Sequence, residues 1–227
     1  MATVGRAKGH PAQLRLGILG GTFDPIHNGH LVAAQETHYQ LALDRILFVP
    51  AGTPPHKPNK PVSPAHHRLH MIELAIASQP AFGISRVDVD RPGPHYTVDM
   101  LQLLRNEWPP DAHLFFIEGS DSLAEMVSWY QPQQLIQLCE LAVVRRPGSD
   151  VDLAELERRL PGLNSRLHWI DMPLLDISST DLRARVREGR PISYLVPATV
   201  EAYISENGLY HQDPQPRRAE QSSKKTD

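Results

Sequence analysis

Leu14-Arg15-Leu16-Gly17-Ile18-Leu19-Gly20-Gly21-Thr22-Phe23-Asp24-Pro25-Ile26-His27-Asn28-Gly29-His30 is the stretch that decides the fold. A short apolar run, Leu14 to Leu19, ends in paired glycines, and helical periodicity runs from Gly29 to Leu41. The order is strand, glycine turn, helix start. Paired glycines let backbone N–H groups come close to a phosphate, and the helix N-terminus that follows directs a partial positive charge at the same place. The turn therefore predicts an anion site. It is not a dinucleotide fingerprint or a P-loop, because neither G-x-G-x-x-G nor G-x-x-x-x-G-K-[ST] occurs in the chain.

His27 and His30 set this turn apart. Their spacing across the loop-to-helix junction can bring both imidazoles to one side of a single anion. The positive end of the helix dipole opposes protonation, so each ring is expected to be neutral until a phosphate favours the charged form. Two competing readings exist, ordinary cap-adjacent histidines and a zinc site. The zinc reading has a thin ligand set, with no carboxylate or cysteine partner nearby.

Outward from the turn, β-like runs at Arg45 to Val49, Phe82 to Val89, His113 to Ile117, Leu141 to Val144 and Leu167 to Ile170 alternate with helical stretches. The helices are expected at Gly29 to Leu41, Ala65 to Ser78, Thr97 to Glu107, Ser120 to Val127, Asp152 to Leu160, Ser179 to Glu188 and Pro197 to Glu206. This alternation predicts an α/β fold with a mostly parallel sheet and helices on both faces. Thr97 and Ser179 are placed as N-caps, Pro197 as a first helical residue, and Gly189 and Gly208 as helix stops. Pro50 to Pro64 holds six of the 21 prolines and reads as a rigid extended loop. The expected organisation is a flexible leader over 1–13, a single domain over 14–211 and a disordered tail over 212–227.

Composition narrows the class without naming a partner. The 227 residues carry a formal net charge of −3, with 41% hydrophobic and 22% charged residues, as in soluble globular chains. This balance offers no broad attraction to nucleic acid or to an anionic membrane. Cys139 is the single cysteine, which excludes a disulfide framework and a cysteine zinc site. No apolar run approaches the roughly 18 residues of a membrane helix. Residues 1–13 lack the apolar stretch of a signal peptide. A cytoplasmic protein is expected, and nothing in the sequence specifies its oligomeric state.

Four further segments combine ordinary structural roles with chemical ones. Thr53-Pro54-Pro55-His56-Lys57 holds an imidazole and an ammonium in a stiff frame. Tyr96-Thr97-Val98-Asp99 opens a helix with free N–H donors. Ile117-Glu118-Gly119-Ser120-Asp121-Ser122-Leu123 places a glycine turn and an acid at the carboxyl end of a strand, where open α/β sheets bind ligands. Trp129-Tyr130 follows it. Ile177-Ser178-Ser179-Thr180-Asp181-Leu182-Arg183 sets three hydroxyls at a helix start with a guanidinium on the next turn, a set that suits phosphates as well as it suits capping.

The string Gly20 to His30 resembles the nucleotidylyltransferase superfamily, whose members carry H-x-G-H in this strand, turn and helix setting. With the P-P-H-K, Y-T-V-D, G-x-D and I-S-S-T-x-x-R segments, the fuller pattern resembles the bacterial nicotinate-nucleotide adenylyltransferase family over roughly Leu14 to Tyr210. The resemblance implies a Rossmann-like nucleotidylyltransferase fold and the reaction of nicotinate mononucleotide with ATP, giving nicotinate adenine dinucleotide and pyrophosphate. It implies that His27 and His30 are catalytic and that ATP is bound by Gly20, Gly21, Thr22, Phe23, His27, His30, Gly119, Asp121, Ile177, Ser178, Ser179, Thr180 and Arg183. On the mononucleotide side it implies His56 and Lys57 at phosphate, Thr97 and Tyr130 at the pyridine carboxylate, and Trp129 stacked on the ring. Magnesium would arrive with ATP, with no protein ligand assigned. Glu118 departs from the commonest pattern and has no assigned role. The competing activities are adenylyl transfer to nicotinamide mononucleotide, or to both mononucleotides, and transfer to phosphopantetheine, against which P-P-H-K, Y-T-V-D and Trp129-Tyr130 argue. A competing class is a nucleotide-binding regulator without chemistry, against which His27, His30, Ser179 and Arg183 argue.

The composition of the C-terminal stretch generates one prediction. Deleting residues 213–227, which hold no large apolar side chain, should leave melting temperature and activity unchanged. A thermal melt and a turnover assay on the truncated chain check it, and a drop of several degrees would mean that the stretch docks.

Overall fold

The computed structural model describes residues 13–52, 62–145 and 151–211. Six strands, β1 (Arg15–Gly21), β2 (Arg45–Pro50), β3 (Phe82–Ile84), β4 (His113–Gly119), β5 (Glu140–Val144) and β6 (Leu167–Ile170), form one sheet in the order β3-β2-β1-β4-β5-β6. Every pairing is parallel. Eight helices connect or follow them: α1 (Asn28–Gln40), α2 (Ala65–Ile76), α3 (Thr97–Glu107), α4 (Ser120–Glu125), α5 (Pro132–Leu138), α6 (Leu153–Arg159), α7 (Ser179–Arg187) and α8 (Ala198–Glu206). The expected α/β architecture is the observed one.

The strands are apolar on both faces because helices cover both. Successive side chains alternate sides, so Ile46, Phe48, Phe115, Ile117, Ala142 and Val144 join one core with α1, α2, α7 and α8. Leu47, Val49, Leu114, Phe116, Leu141 and Val143 join the other with α3, α4, α5 and α6. Phe48 anchors the first core, fully buried with its ring 5.8 Å from Phe23 and 5.6 Å from Phe82.

Several boundaries differ from the sequence expectation. β1 continues through Gly20 and Gly21, because the β2 ladder carries it on, Gly20 opposite Val49 and Gly21 opposite Pro50. The run 82–89 is a strand only to Ile84, after which the backbone turns through Val87 to Asp90. α5 was absent from the sequence reading, hidden by its short length and by Pro132, which occupies its first turn. Each expected cap is displaced by one residue. Tyr96 and Ser178 are the N-caps of α3 and α7, with Ser178 Oγ accepting the Asp181 N–H at 3.1 Å, and Pro197 is the N-cap of α8. Gly189 and Gly208 do end helices, at φ +68° and +59°, backbone that side-chain-bearing residues rarely adopt. The leader, the tail, and the loop residues His56 and Lys57 lie outside the described residues, apart from Gln13.

Candidate active site

β1 and β4 share hydrogen bonds only as far as Leu19 and Ile117. Beyond that point Gly20 and Gly21 pair with β2 alone, and Glu118 and Gly119 with β5 alone. A crevice therefore opens at the carboxyl edge where strand order reverses, the place where open α/β sheets bind ligands. A cavity of about 710 Å³ occupies it.

One side of the cavity is the β1 turn and the start of α1. Gly20, Gly21, Thr22, His27 and His30 line it. The imidazoles of His27 and His30 stack with centroids 3.6 Å apart and planes 23° off parallel. His30 Nδ1 accepts the backbone N–H of His27 at 3.2 Å. A neutral His30 ring then carries its proton on Nε2. Gly29 leaves room for the pair: a Cβ there would lie 3.1 Å from His27 Nδ1 and 3.2 Å from its Cε1, so the ring would have to shift. Gly21 answers to a similar constraint, since its Cβ would meet the Phe23 ring at 3.0 Å. Phe23 itself, at φ 51° and 1% exposed, does not line the cavity; its ring supports His30 edge-on at 5.0 Å.

Ile177 and Ser178 complete this side. Ser179 and Arg183 of that motif turn toward the β1 loop. Ser179 Oγ donates to the Pro25 carbonyl at 2.8 Å, Arg183 Nη1 donates to the Asp24 carbonyl at 2.7 Å, and Arg183 Nη2 meets Thr180 Oγ1 at 3.4 Å. None of Ser179, Thr180 and Arg183 lines the cavity; Ser179 and Arg183 hold the turn that does, and Thr180 accepts from Arg183.

The opposite side is built from α3, β4 and the Trp129-Tyr130 segment. Thr97 is the first residue of α3, where backbone N–H groups have no intrahelical acceptor. Tyr96 and Tyr130 stack at 4.3 Å with planes 26° apart, and Trp129 meets Phe116 edge-on at 6.2 Å. Gly119, the last residue of β4, and Asp121 also line the cavity. The structure thus brings together Gly20, Gly21, Thr22, His27, His30, Thr97, Gly119, Asp121, Trp129, Tyr130, Ile177 and Ser178.

The sequence reading missed Asp88, His95 and Arg145, all of which line the cavity. Asp88 and His95 are buried, and Arg91 reaches Asp88 at 2.8 Å. Burial pushes the Asp88 carboxyl up, opposed by its bond to Arg91. The run of charged residues around the Arg91 turn was the available signal. Arg145, immediately after β5, rests its guanidinium 4.4 Å over the Trp169 ring; its place at a strand's carboxyl end was the signal for it.

Comparison with known proteins agrees with this geometry. Residues 18–185 match the cytidylyltransferase-like family. A protein of Thermomicrobium roseum named "probable nicotinate-nucleotide adenylyltransferase" is 50% identical over 196 residues, 86% of this chain and 91% of that protein. One of the same name from Corynebacterium kroppenstedtii is 48% identical over 86% of this chain and 90% of its own length. The chain belongs to the cytidylyltransferase-like family, among the nicotinate-nucleotide adenylyltransferases. Of solved structures, the Plasmodium falciparum nicotinic acid mononucleotide adenylyltransferase complexed with NaAD superposes with a TM-score of 0.72. It covers 87% of this chain and 98% of its own at 20% identity, a likeness of fold. Among the described residues, no helix is long and apolar enough to cross a membrane.

Glu118 is where this member of the family invites a test. Its carboxyl is fully buried, and neither oxygen has a hydrogen-bond partner among the described residues. Burial, and after it the neighbouring Asp121 charge, raises its pKa well above the usual carboxylate range. An unfolded glutamate ionises near 4.5, so the folded state binds more protons above that pH. Stability must then fall as pH rises through the window between the two values. Glu118→Gln, neutral at every pH, is expected to remove this decline. Melting temperatures from about pH 5 to 9 in both proteins check it, and an unaltered decline in the variant would count against a neutral Glu118.

Proposed function

We propose that this protein transfers the adenylyl group of ATP to nicotinate mononucleotide, giving nicotinate adenine dinucleotide and pyrophosphate. The observation that carries this reading is one cavity spanning the switch point, with the His27–His30 pair on one wall and the Tyr96, Thr97, Trp129 and Tyr130 cluster on the other. Two ligands meeting across that crevice would put a mononucleotide phosphate beside the α-phosphate of ATP. The family membership supports the same pair of substrates.

In this mechanism the mononucleotide phosphate attacks the α-phosphorus in line, and the bond to the β-phosphate oxygen breaks. A phosphate monoester is already a nucleophile at neutral pH, so positioning and charge neutralisation carry the catalysis. His27 and His30 bind near the α- and β-phosphates, with backbone N–H groups at Gly20 to Thr22 as further donors. His30 can donate to a phosphate oxygen through Nε2 while its Nδ1 keeps the His27 N–H, and a donor so placed gains interaction as charge moves toward the leaving pyrophosphate. Ser179 and Arg183 serve the turn through the Pro25 and Asp24 carbonyls, and His56 and Lys57 contact the mononucleotide phosphate. Asp121 accepts from a ribose hydroxyl, Trp129 stacks on the pyridine, and backbone donors at Thr97 and Tyr130 receive its carboxylate.

Magnesium, bound mainly by substrate phosphates and water, would supply further charge neutralisation there. Among the described residues no group of three or more His, Cys, Asp or Glu could hold a metal. The carboxylates that line the cavity are Asp88, Glu118, Asp121 and Asp176, with Asp88 held by Arg91. A cytoplasmic location fits a chain whose one cysteine, Cys139, is free.

Two predictions test the reading. His30→Ala should lower pyrophosphate release about a hundredfold or more while the protein stays folded, since removing a donor of this kind costs about 3 to 4 kcal/mol. Turnover near wild type in the folded variant would remove His30 from the chemistry. The enzyme should also prefer nicotinate over nicotinamide mononucleotide by about tenfold or more in kcat/KM. A carboxylate only accepts hydrogen bonds, whereas an amide turns a donor toward the site's own donors, a mismatch of about 1 to 3 kcal/mol. Equal values would identify an enzyme that uses both mononucleotides.

A further inference from the structure

Arg68 lies outside every motif of the sequence and outside the cavity lining, yet it is 2% exposed. A buried charge is costly unless it is paired and hydrogen-bonded. Its guanidinium is spent entirely on backbone: Nη1 donates to the carbonyls of Thr22 at 2.9 Å and Ala51 at 2.8 Å, Nη2 to Gly52 at 3.4 Å, and Nε to Ser63 at 3.0 Å. These acceptors belong to three separate segments, the turn after β1, the end of β2 and the approach to α2. Thr22 and Ala51 both line the cavity.

Asp24, also 2% exposed, supplies the opposing charge. Its carboxylate accepts from the Ser63 N–H at 3.1 Å and the Tyr210 hydroxyl at 2.7 Å. Burial lowers the Arg68 pKa, and Asp24 and Tyr210 oppose that shift. The Asp24 carbonyl is also the acceptor of Arg183, so the turn is gripped from the α2 side by Arg68 and from the α7 side by Arg183. An apolar side chain could fill the volume of Arg68. Only a planar fork of donors can fix three backbone segments against one another.

We propose that Arg68 is a positioning residue for adenylyl transfer: it ties the β1 turn, which leads into His27 and His30, to the end of β2 and the start of α2. The proposal rests on the adenylyltransferase reading above. In-line attack is far more sensitive to alignment than ground-state binding, and a misplacement of about 1 Å can cost about a hundredfold in rate. The effect of disturbing Arg68 therefore falls on kcat, with KM for each substrate little changed.

The test uses the full chain as wild type, Arg68→Lys, Arg68→Met and Tyr210→Phe. Pyrophosphate release is measured with ATP and nicotinate mononucleotide varied separately, at a temperature where unfolding curves show each protein folded. Arg68→Lys keeps the charge without the fork and should lose about tenfold in kcat with each KM within about threefold. Arg68→Met should lose more, so that lysine gives partial rescue. Tyr210→Phe, which loosens Asp24 without touching the guanidinium, should lose about threefold or more in kcat. A residue that only stabilises the fold would lower the melting temperature and leave kcat of the folded enzyme intact. That result for Arg68→Lys overturns the proposal. If neither Arg68 variant folds, wild-type kcat in Tyr210→Phe overturns it instead. An inactive wild type would overturn the adenylyltransferase reading and this role with it, whereas an active wild type with unaltered variants removes Arg68 alone.

Discussion

The parting of β1 from β4 after Leu19 and Ile117 is the constraint on which the rest depends. Parallel strands need crossover connections, and these are right-handed. The chain leaves β1 toward β2 and β3, then returns across the sheet to β4 and continues outward to β5 and β6. The two halves therefore grow in opposite directions from one central pair. No helix can cover the gap where they diverge, so backbone N–H groups of Gly20 to Thr22 and of Gly119 to Asp121 border an open crevice. The same divergence sends α1 and α3 to opposite faces, which is why one cavity receives His27 and His30 from one layer and Thr97 from the other.

A turn that must present donors to a ligand cannot satisfy its own backbone internally, and the structure meets its carbonyls from outside. Thr22, Asp24 and Pro25 receive Arg68, Arg183 and Ser179 respectively. Each donor comes from a different position in the chain, so the turn is held at several points without a side chain entering the space in front of it. Tyr210, at the far end of the described fold, closes the arrangement on the Asp24 carboxylate. Burial and the adjacent Asp24 raise the Tyr210 phenol, so it acts as a donor throughout the neutral range.

Electrostatics divides along the same line. The histidine pair, Arg145 and the partially positive helix starts of α1 and α3 all face the cavity. The carboxylates nearby are managed differently. Asp88 is bound by Arg91, and Glu118 is buried at the end of β4, in the cavity lining, where burial favours its neutral form. Burial shifts Glu118 toward its neutral form, which lessens the negative charge beside Asp121.

The sequence by itself determined the strand, turn and helix around Gly20 to His30, the parallel sheet and the two further helix starts at Thr97 and Ser179. These are local signals: glycine pairs, apolar alternation and cap residues act within a few positions of one another. Tertiary structure alone decided where the Ser179 and Arg183 side chains go, because their acceptors at Pro25 and Asp24 lie 154 and 159 positions away. It also decided that Arg68, which reads as an ordinary charged position on α2, is buried, since its four acceptors come from loops whose meeting depends on the sheet order. α5 and the early end of β3 at Ile84 belong to the same category, local states settled by packing against neighbours rather than by their own propensity. A pattern along the chain reports which side chains share a face. Which carbonyl a buried guanidinium finds depends on the closure of the whole sheet.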